Sequence, residues 1–320
     1  WYLKNIYDLL NFKGAGLYFL RGTYHNIYSE LLVEKRGNAI LYPATSVPFD
    51  NSNIMLNPRV NLVNLVNLVN TKKGSNKNLK SNKLYDIVLT NVDENNYHLV
   101  YPNSTLVPFY KFSPDSYYLT NSKKRYIDFI FVANSNQMTK NHHLFHNFVK
   151  YLENKCITDN INLFNVAFIG DVETVRRNYD LYDFGLYDKC INFINRDKIN
   201  SNDLRELYNN SKVNLLFSGR DAVPRVLFES SACGCYNIAL DTLSDGKYFF
   251  KNIILGKLVG DTKIEIEKRT SSSISYHSND ALWKIVYEYY KKEHDHEKIA
   301  IECSRYYSLE RSISIISVNI

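Results

Sequence analysis

The 320-residue sequence lacks features that mark several common classes of protein. It contains five cysteines, an odd number, and no two of them are spaced as Cys-x-x-Cys, so neither a disulfide framework nor a zinc knuckle is expected. A run of about 18 apolar residues, the length that spans a membrane, is missing, and no signal peptide is visible. These absences, with thiols expected to be reduced, predict a cytoplasmic protein without a transmembrane segment.

Motifs of several enzyme classes are missing as well. The sequence has no Gly-x-Ser-x-Gly nucleophile motif, no P-loop and no His-Glu-x-x-His zinc motif. His142 and His146 are four residues apart, a spacing that suits zinc on one helix face, but no carboxylate or third ligand stands nearby in the sequence. We interpret both histidines as helix-surface or cleft-lining side chains and expect no metal site.

The charge is modestly basic, at a formal net +6, which suits an anionic substrate such as a nucleotide diphosphate. The basic residues form no patch interleaved with aromatic residues, so nucleic-acid binding is not expected. The densest lysines lie at 72–83, directly after the triplet repeat NLVNLVNLVN at 61–70. Because a period of three fits neither a strand nor a helix, residues 61–83 are predicted to be an inserted loop.

Alternating strands and helices are predicted along most of the chain. Apolar runs predict strands at 16–20, 39–42, 85–90, 104–109, 126–133, 163–169, 190–194, 213–217 and 236–240, and helices at 142–153, 202–209, 224–233 and 282–292. This alternation predicts an α/β fold with right-handed βαβ units and parallel sheets. We predict Rossmann-like domains at 1–122 and 123–280, followed by C-terminal helices at 281–320 that are able to pack back on the first domain.

The segment SGRDAVPRVLFESSACGC at 218–235 combines several features of an anion site. A buried strand leads through Ser218 and Gly219 into a loop, and Pro224 suits the start of the following helix. Gly234 suits the left-handed turn that ends this helix. The helix is therefore expected to present its N–H groups and the positive end of its dipole at the carboxyl edge of the sheet, where phosphate is favoured.

Two carboxylates in this segment, Asp221 and Glu229, are eight residues apart. A bend of the chain between them would let both face one cleft. The simpler interpretations are an ion pair between Glu229 and Arg225, four residues earlier, and a charge preference near the helix N-terminus for Asp221. The spacing by itself leaves these alternatives open.

The same segment resembles the carboxylate-x7-carboxylate motif of retaining glycosyltransferases of the family-four ("group 1") type, which usually reads like S-x-x-E-G-F-P-x-V-x-x-E-A-x-A-C-G. The residues that match it are Ser218, Pro224, Val226, Glu229, Ala232, Cys233 and Gly234. Asp221 stands where the first glutamate is usual, and Ala222 where glycine is usual. Upstream, FIFVANSNQMTKNHHLF at 129–145 resembles the family's strand and loop at the donor diphosphate, with Lys140 at the position of its lysine and Asn134 where an arginine is usual.

The resemblance covers roughly residues 126–260 and implies a GT-B architecture of two Rossmann-like domains, with an N-terminal domain that is short or truncated. It implies transfer of a sugar, with retention and without a metal or other cofactor, from a UDP- or GDP-linked donor to a glycan, lipid or protein acceptor. It gives catalytic roles to Asp221, Glu229 and Lys140. Donor contacts are expected from Asn134, Gly170, Asp171, Ile194, Ser218, Gly219, Ala222, Val223 and Glu229.

Two other functions stay open at this point. One is a nucleotide-sugar epimerase with the same architecture. The other is a catalytically inactive nucleotide-sugar-binding or scaffold protein, which is favoured by Asp221 in place of glutamate, Asn134 in place of arginine and the short N-terminal region.

Overall fold

The computed structural model describes the chain in part. The backbone alone is described for residues 15–21, 36–42, 87–90, 105–108 and 280, and the side chains as well for residues 116–120, 124–161, 163–219, 224–241, 243, 246–260, 281–308, 311 and 314. By its contacts the chain divides into two compact units, Trp1–Tyr110 with Glu310–Ile320, and Lys111–Leu309. The domain boundaries near 122 and 280 stay predictions, and the loop predicted at 61–83 lies outside the described residues.

The first unit contains a four-stranded sheet. Its strands are β1 (Ala15–Arg21), β2 (Arg36–Tyr42), β3 (Ile87–Thr90) and β4 (Thr105–Pro108), which lie side by side in chain order. All of the pairings between them are parallel, which requires crossover connections rather than hairpins. Each of these strands overlaps one of the four strands predicted in this part of the sequence.

The second unit is built on a six-stranded sheet whose pairings are all parallel. Its strands are β5 (Ile127–Val132), β6 (Phe164–Ile169), β7 (Ile191–Arg196), β8 (Ser211–Leu216), β9 (Tyr236–Leu240) and β10 (Gly256–Val259). They lie in the order β10-β9-β8-β5-β6-β7. The chain builds outward from β5 to β7 and then returns to the other side of β5 with β8. The strand order therefore reverses between β5 and β8, which is where open parallel sheets bind ligands.

The helices of the second unit are α1 (His142–Thr158), α2 (Val172–Tyr179), α3 (Ser201–Asn209), α4 (Arg225–Ala232), α5 (Asp280–Tyr290) and α6 (His296–Tyr307). Short 3-10 turns at Met138–Lys140 and Lys247–Lys251 precede α1 and β10. The α/β prediction with parallel sheets is confirmed, whereas α2 and β10 are not among the predicted elements, and α6 was expected only as one of the C-terminal helices at 281–320, without bounds. None of the helices in the described part of the chain is both long enough and apolar enough to cross a lipid bilayer.

Helices cover both faces of the second sheet. Phe129 and Phe131 of β5 pack against Phe148 and Phe145 of α1, with ring centroids 5.0 Å and 4.6 Å apart. Ile130, between them, packs in a separate core cluster that includes Tyr208 of α3, because successive side chains of a strand point to opposite faces. Burial on both faces explains why these strands read as continuous apolar runs in the sequence.

The helices α5 and α6 pack within the second unit. Trp283 of α5 lies 5.6 Å from the ring of Phe148 of α1, and the thiol of Cys303 in α6 lies 3.5 Å from the carbonyl of Phe228 in α4. Helix α6 and all but the first residue of α5 lie in the segment 281–320, for which packing on the first domain is one expectation. Within that segment, Glu310–Ile320 groups with the first unit.

Candidate functional site

Two loops meet where the strand order reverses, one after β5 and the other after β8. The side-chain amide of Asn141 donates a hydrogen bond to the carbonyl of Phe217, at 2.8 Å. The backbone N–H of Gly219 donates to the carbonyl of Thr139, at 3.1 Å. These two bonds hold the turn that carries Lys140 against the loop that leads toward α4.

Lys140 ends the 3-10 turn and is half-buried. Asn141 follows it in the left-handed conformation, with φ 54° and ψ 51°, which asparagine tolerates better than most residues. The Asn141 side chain forms no hydrogen bond to the start of α1, since its amide bonds to Phe217 instead. The predicted site residues Lys140 and Gly219 are thus brought together at the reversal of strand order, where open parallel sheets form the crevice that binds ligands.

Ser218 lies in the loop after β8, directly before Gly219, and is only 1% exposed. Its hydroxyl is buried and has no hydrogen-bond partner among the described residues. An unpaired buried hydroxyl costs about 1–3 kcal/mol, so such groups are exceptions in folded proteins.

Helix α4 begins at Arg225, directly after Pro224. The helix ends as predicted, because Gly234 has a φ of 84° in the left-handed region. Asp221, Ala222 and Val223 lie outside the described residues, so their roles stay predictions.

Glu229 lies on α4 and is buried, with 8% of its surface exposed. Burial raises the pKa of its carboxyl, and the charge of Arg225, one turn earlier, opposes part of that rise. Burial, and then the charge of Glu229, raise the pKa of Tyr117 to about 12; the same causes raise the pKa of Tyr208. A buried carboxyl with a perturbed pKa is a candidate for contact with a ligand.

Packing explains the glycine at the end of β6. A Cβ atom on Gly170 would lie 2.6 Å from Cζ of Phe168 and 2.7 Å from the hydroxyl of Ser135. The neighbouring Asp171 caps α2, since its carboxylate accepts hydrogen bonds from the N–H groups of Glu173 and Thr174 at 3.0 Å and 3.3 Å. The roles of Gly170 and Asp171 in donor binding stay predictions beside these structural ones.

The other predicted donor residues lie at the rim or in the sheet. Asn134 is exposed, and its side-chain oxygen accepts a hydrogen bond from the N–H of Asn136, at 3.0 Å. Ile194 lies in the edge strand β7, opposite Ala167 of β6, and its side chain packs against the core. Sequence reasoning missed Asn195, whose amide donates to the carbonyl of Gly170 at 2.9 Å and so fixes the end of β6.

Solved structures show which fold this arrangement belongs to, whereas no protein-family model and no curated protein matches the sequence. The pneumococcal O-GlcNAc transferase GtfA, in complex with UDP and GlcNAc, is 13% identical, with a TM-score of 0.61 over 99% of this chain and 58% of that one. Alr3699/HepE from Anabaena, in complex with UDP and glucose, is 12% identical, with a TM-score of 0.59 over 98% and 79%. Sucrose-phosphate synthase from Thermosynechococcus elongatus is 11% identical, with a TM-score of 0.58 over 99% and 75%.

This chain has the GT-B fold. The architecture implied by the sequence motifs is therefore confirmed. At these identities the likeness establishes the fold and not the activity, and the chain spans less than three fifths of the length of GtfA, at 58%.

Two histidines on α1 of the GT-B chain are placed differently from the prediction. His142 and His146 are both buried, at 0% and 6% exposed, and their Nδ1 atoms lie 3.1 Å and 3.2 Å from the hydroxyls of Tyr179 and Tyr187. The helix-surface alternative is therefore wrong, because tyrosines from other segments cover both rings, and the cleft-lining alternative stays a prediction. Within the described ranges, no three His, Cys, Asp or Glu side chains are grouped so as to hold a metal ion.

Proposed function

We propose that this chain is a glycosyltransferase that moves a sugar from a UDP-sugar donor to an acceptor. The observation that carries the proposal is the crevice between β5 and β8, where the turn of Lys140 is hydrogen-bonded to the loop that leads toward α4. Two solved structures with the same fold contain UDP together with a sugar, which supports UDP over GDP as the donor nucleotide.

The diphosphate of the donor would lie at the start of α4, next to Lys140. Negative charge grows on the diphosphate as its bond to the sugar breaks, and a lysine cation with the N–H groups of a helix N-terminus stabilises that charge. The buried hydroxyl of Ser218, unpaired among the described residues, would be a further donor. Because these groups can neutralise the diphosphate, we propose transfer without a metal and, from the family resemblance, with retention.

Glu229 would accept hydrogen bonds from the ribose hydroxyls of the nucleotide. Its burial makes this contact strong, since a carboxylate away from water has few competing donors. Asp221, with the backbone N–H groups of Ala222 and Val223, would contact the sugar and the phosphate, as the family resemblance implies. The loops that contain Asn134 and Gly170 would face the nucleotide from the β6 side of the crevice.

One observation favours a binding protein without catalytic activity as the alternative. Asn134 stands where the family has a second cation, and its side chain is engaged in a local turn with Asn136. If no other cation replaces it, charge stabilisation at the leaving diphosphate is weaker than in the family.

The test measures binding and turnover by the whole chain. We expect UDP to raise the melting temperature more than GDP or ADP does, and we expect UDP to be released from a UDP-sugar. Lys140→Ala should lower turnover by about 10²–10³-fold while weakening UDP binding less, because the lysine acts mainly in the transition state. Lys189→Ala, at an exposed lysine just before β7, is the matched control and should change neither.

The possible outcomes separate the two functions. Stabilisation by UDP without any turnover would support the inactive binding protein. A folded chain that no nucleotide stabilises would contradict both functions.

A further inference from the structure

The hydroxyl of Tyr179 lies against the turn that carries Lys140. Tyr179 is the last residue of α2, and its hydroxyl lies 3.0 Å from the carbonyl of Met138 and 3.4 Å from that of Gln137. The same hydroxyl lies 3.1 Å from Nδ1 of His142, directly after the turn. One side chain from α2 therefore contacts both ends of the turn.

His142 is held rigidly in the core. Its ring is 0% exposed and packs edge-on against Phe131 and Phe168, with centroids 5.6 Å and 5.9 Å away. Burial, followed by the nearby charges of His143 and Lys140, lowers the pKa of His142 to about 4, so the ring is neutral at neutral pH. A hydroxyl has one proton, so when Tyr179 donates to Met138 the neutral His142 donates from Nδ1 to Tyr179. The bonds then run in one direction, from the core through Tyr179 to the turn.

The structure assigns a positioning role to this pair. On one side, Asn141 fixes the turn to the loop after β8; on the other side, we propose that the His142–Tyr179 pair fixes it to α2, so that Lys140 is held where the donor diphosphate binds. The inference rests on the proposed function. It adds two positioning residues that act through Lys140 rather than by contact with the donor.

The same helix contains a matched control. One turn after His142, His146 pairs with the hydroxyl of Tyr187 at 3.2 Å, and this ring is also buried. The hydrogen bonds of the His146–Tyr187 pair do not involve the turn before α1. Loss of either tyrosine hydroxyl removes a hydrogen bond to a buried histidine, whereas only the loss at Tyr179 also removes the contacts with the turn and should disturb Lys140.

The experiment compares Tyr179→Phe, Tyr187→Phe, Lys140→Ala and the double variant Tyr179→Phe/Lys140→Ala in the whole chain. We measure melting temperature, and kcat and KM for release of UDP from a UDP-sugar. Tyr179→Phe should lower kcat by about tenfold to a hundredfold, since small misplacements of a catalytic group have effects of this size. Tyr187→Phe should keep kcat within about twofold, and the double variant should match Lys140→Ala because the tyrosine acts through the lysine.

A second pair of variants separates the hydrogen bond from the packing of the ring. His142→Asn retains a donor near the position of Nδ1 and should keep more kcat than His142→Leu, which has none. Equal kcat for Tyr179→Phe and Tyr187→Phe, with an active wild type, would overturn this inference and leave the proposed function standing. A wild type that neither binds UDP nor releases it from a UDP-sugar would overturn both.

Discussion

The two glycines at the carboxyl edge of the second sheet offer a matched pair of substitutions. Gly170 follows β6 and Gly219 follows β8, and neither has the positive φ that would strain an alanine. A methyl group on Gly170 would lie 2.6 Å from Phe168, 2.7 Å from Ser135 and 2.9 Å from the carbonyl of Ala133. Among the described residues, a methyl group on Gly219 would meet only the amide of Asn141, at 3.4 Å.

These distances fix the sign and the approximate size of each effect. Overpacking of a well-packed site costs typically ~1–3 kcal/mol, and the third contact of Gly170 is a backbone carbonyl, which cannot rotate away. Replacing glycine by alanine also restricts the unfolded chain, which stabilises the fold by ~0.4–1 kcal/mol. We therefore expect Gly170→Ala to lower the free energy of unfolding by about 1–2 kcal/mol, and Gly219→Ala to leave it unchanged or slightly higher.

The assay needs a probe that reports on the second unit alone, because a chain of two units need not unfold in one step. The sequence has two tryptophans, Trp1 and Trp283. Trp283 is 3% exposed and packs against Phe148 and Phe217. In a Trp1→Phe background, the fluorescence of Trp283 follows unfolding of the second unit in denaturant. The parent, Gly170→Ala and Gly219→Ala are then compared by the denaturant concentration at the unfolding midpoint and by the dependence of the unfolding free energy on denaturant.

Two results would refute this reasoning. One is a Gly170→Ala protein as stable as its parent within ~0.5 kcal/mol, the usual range of a neutral surface change. The other is a Gly219→Ala protein that loses as much stability as Gly170→Ala. The first would mean that the contacts at the end of β6 relax without cost, and the second that Gly219 is packed as tightly as Gly170.

Three further predictions concern metal independence, the carboxylate of Asp221, and the buried histidines His142 and His143. Turnover should survive EDTA, and its loss with recovery on added magnesium or manganese would contradict the proposed phosphate site. Asp221→Asn should cut turnover sharply at an unchanged melting temperature, and Asp221→Glu should be tolerated poorly; a silent Asn variant would instead favour the inactive binding protein. Burial lowers the pKa of His142 and of His143 to about 4 from the ordinary 6.5, so the unfolded chain takes up their protons first. The free energy of unfolding should then fall as the pH drops from about 6.5 to about 4, by up to ~1.4 kcal/mol per pH unit for each histidine. Denaturant unfolding at several pH values in this range should show a smaller change of that free energy with pH for His142→Asn than for the wild type.

Much of the fold could be predicted because the second sheet is buried on both faces. Apolar runs located β5, β6, β8 and β9 closely, whereas the predicted end of β7 at 194 falls short of Arg196. The polar end of β7 is held by pairing with β6, which the sequence pattern does not show. Helix α6 had a usable signal, since Ile299, Cys303 and Tyr307 recur every four residues and are all buried.

The site could be predicted only in part, because its organisation depends on contacts that are distant in the sequence. Lys140 was located by its place after a strand and by the family motif. The bond from Asn141 to Phe217, between residues 76 positions apart, leaves no local pattern. The burial of His142 depends on rings from β5 and β6 and on Tyr179 from the helix that sequence reasoning missed.

Glu229 connects stability with the proposed function. Burial raises the pKa of its carboxyl, so the unfolded chain ionises first as the pH rises above the ordinary glutamate range. Stability contributed by this group is therefore lost with rising pH, and Glu229→Gln, which has no charge to desolvate, should raise the melting temperature at neutral pH. A carboxylate that destabilises the fold is understandable if a ligand needs it.

Donor affinity should show the opposite dependence on pH. In the proposed complex, ribose hydroxyls would donate to the ionised form of Glu229, so the wild type should bind a UDP-sugar more tightly as the pH rises through the raised pKa of this group. Glu229→Gln should bind about tenfold to a hundredfold more weakly at neutral pH, the size of a lost hydrogen bond to a charged group, with little pH dependence. Calorimetric titrations at a series of pH values from the ordinary glutamate range to neutral pH measure both proteins. A glutamine variant that is more stable and binds the donor as well as the wild type would show that Glu229 is buried for packing alone.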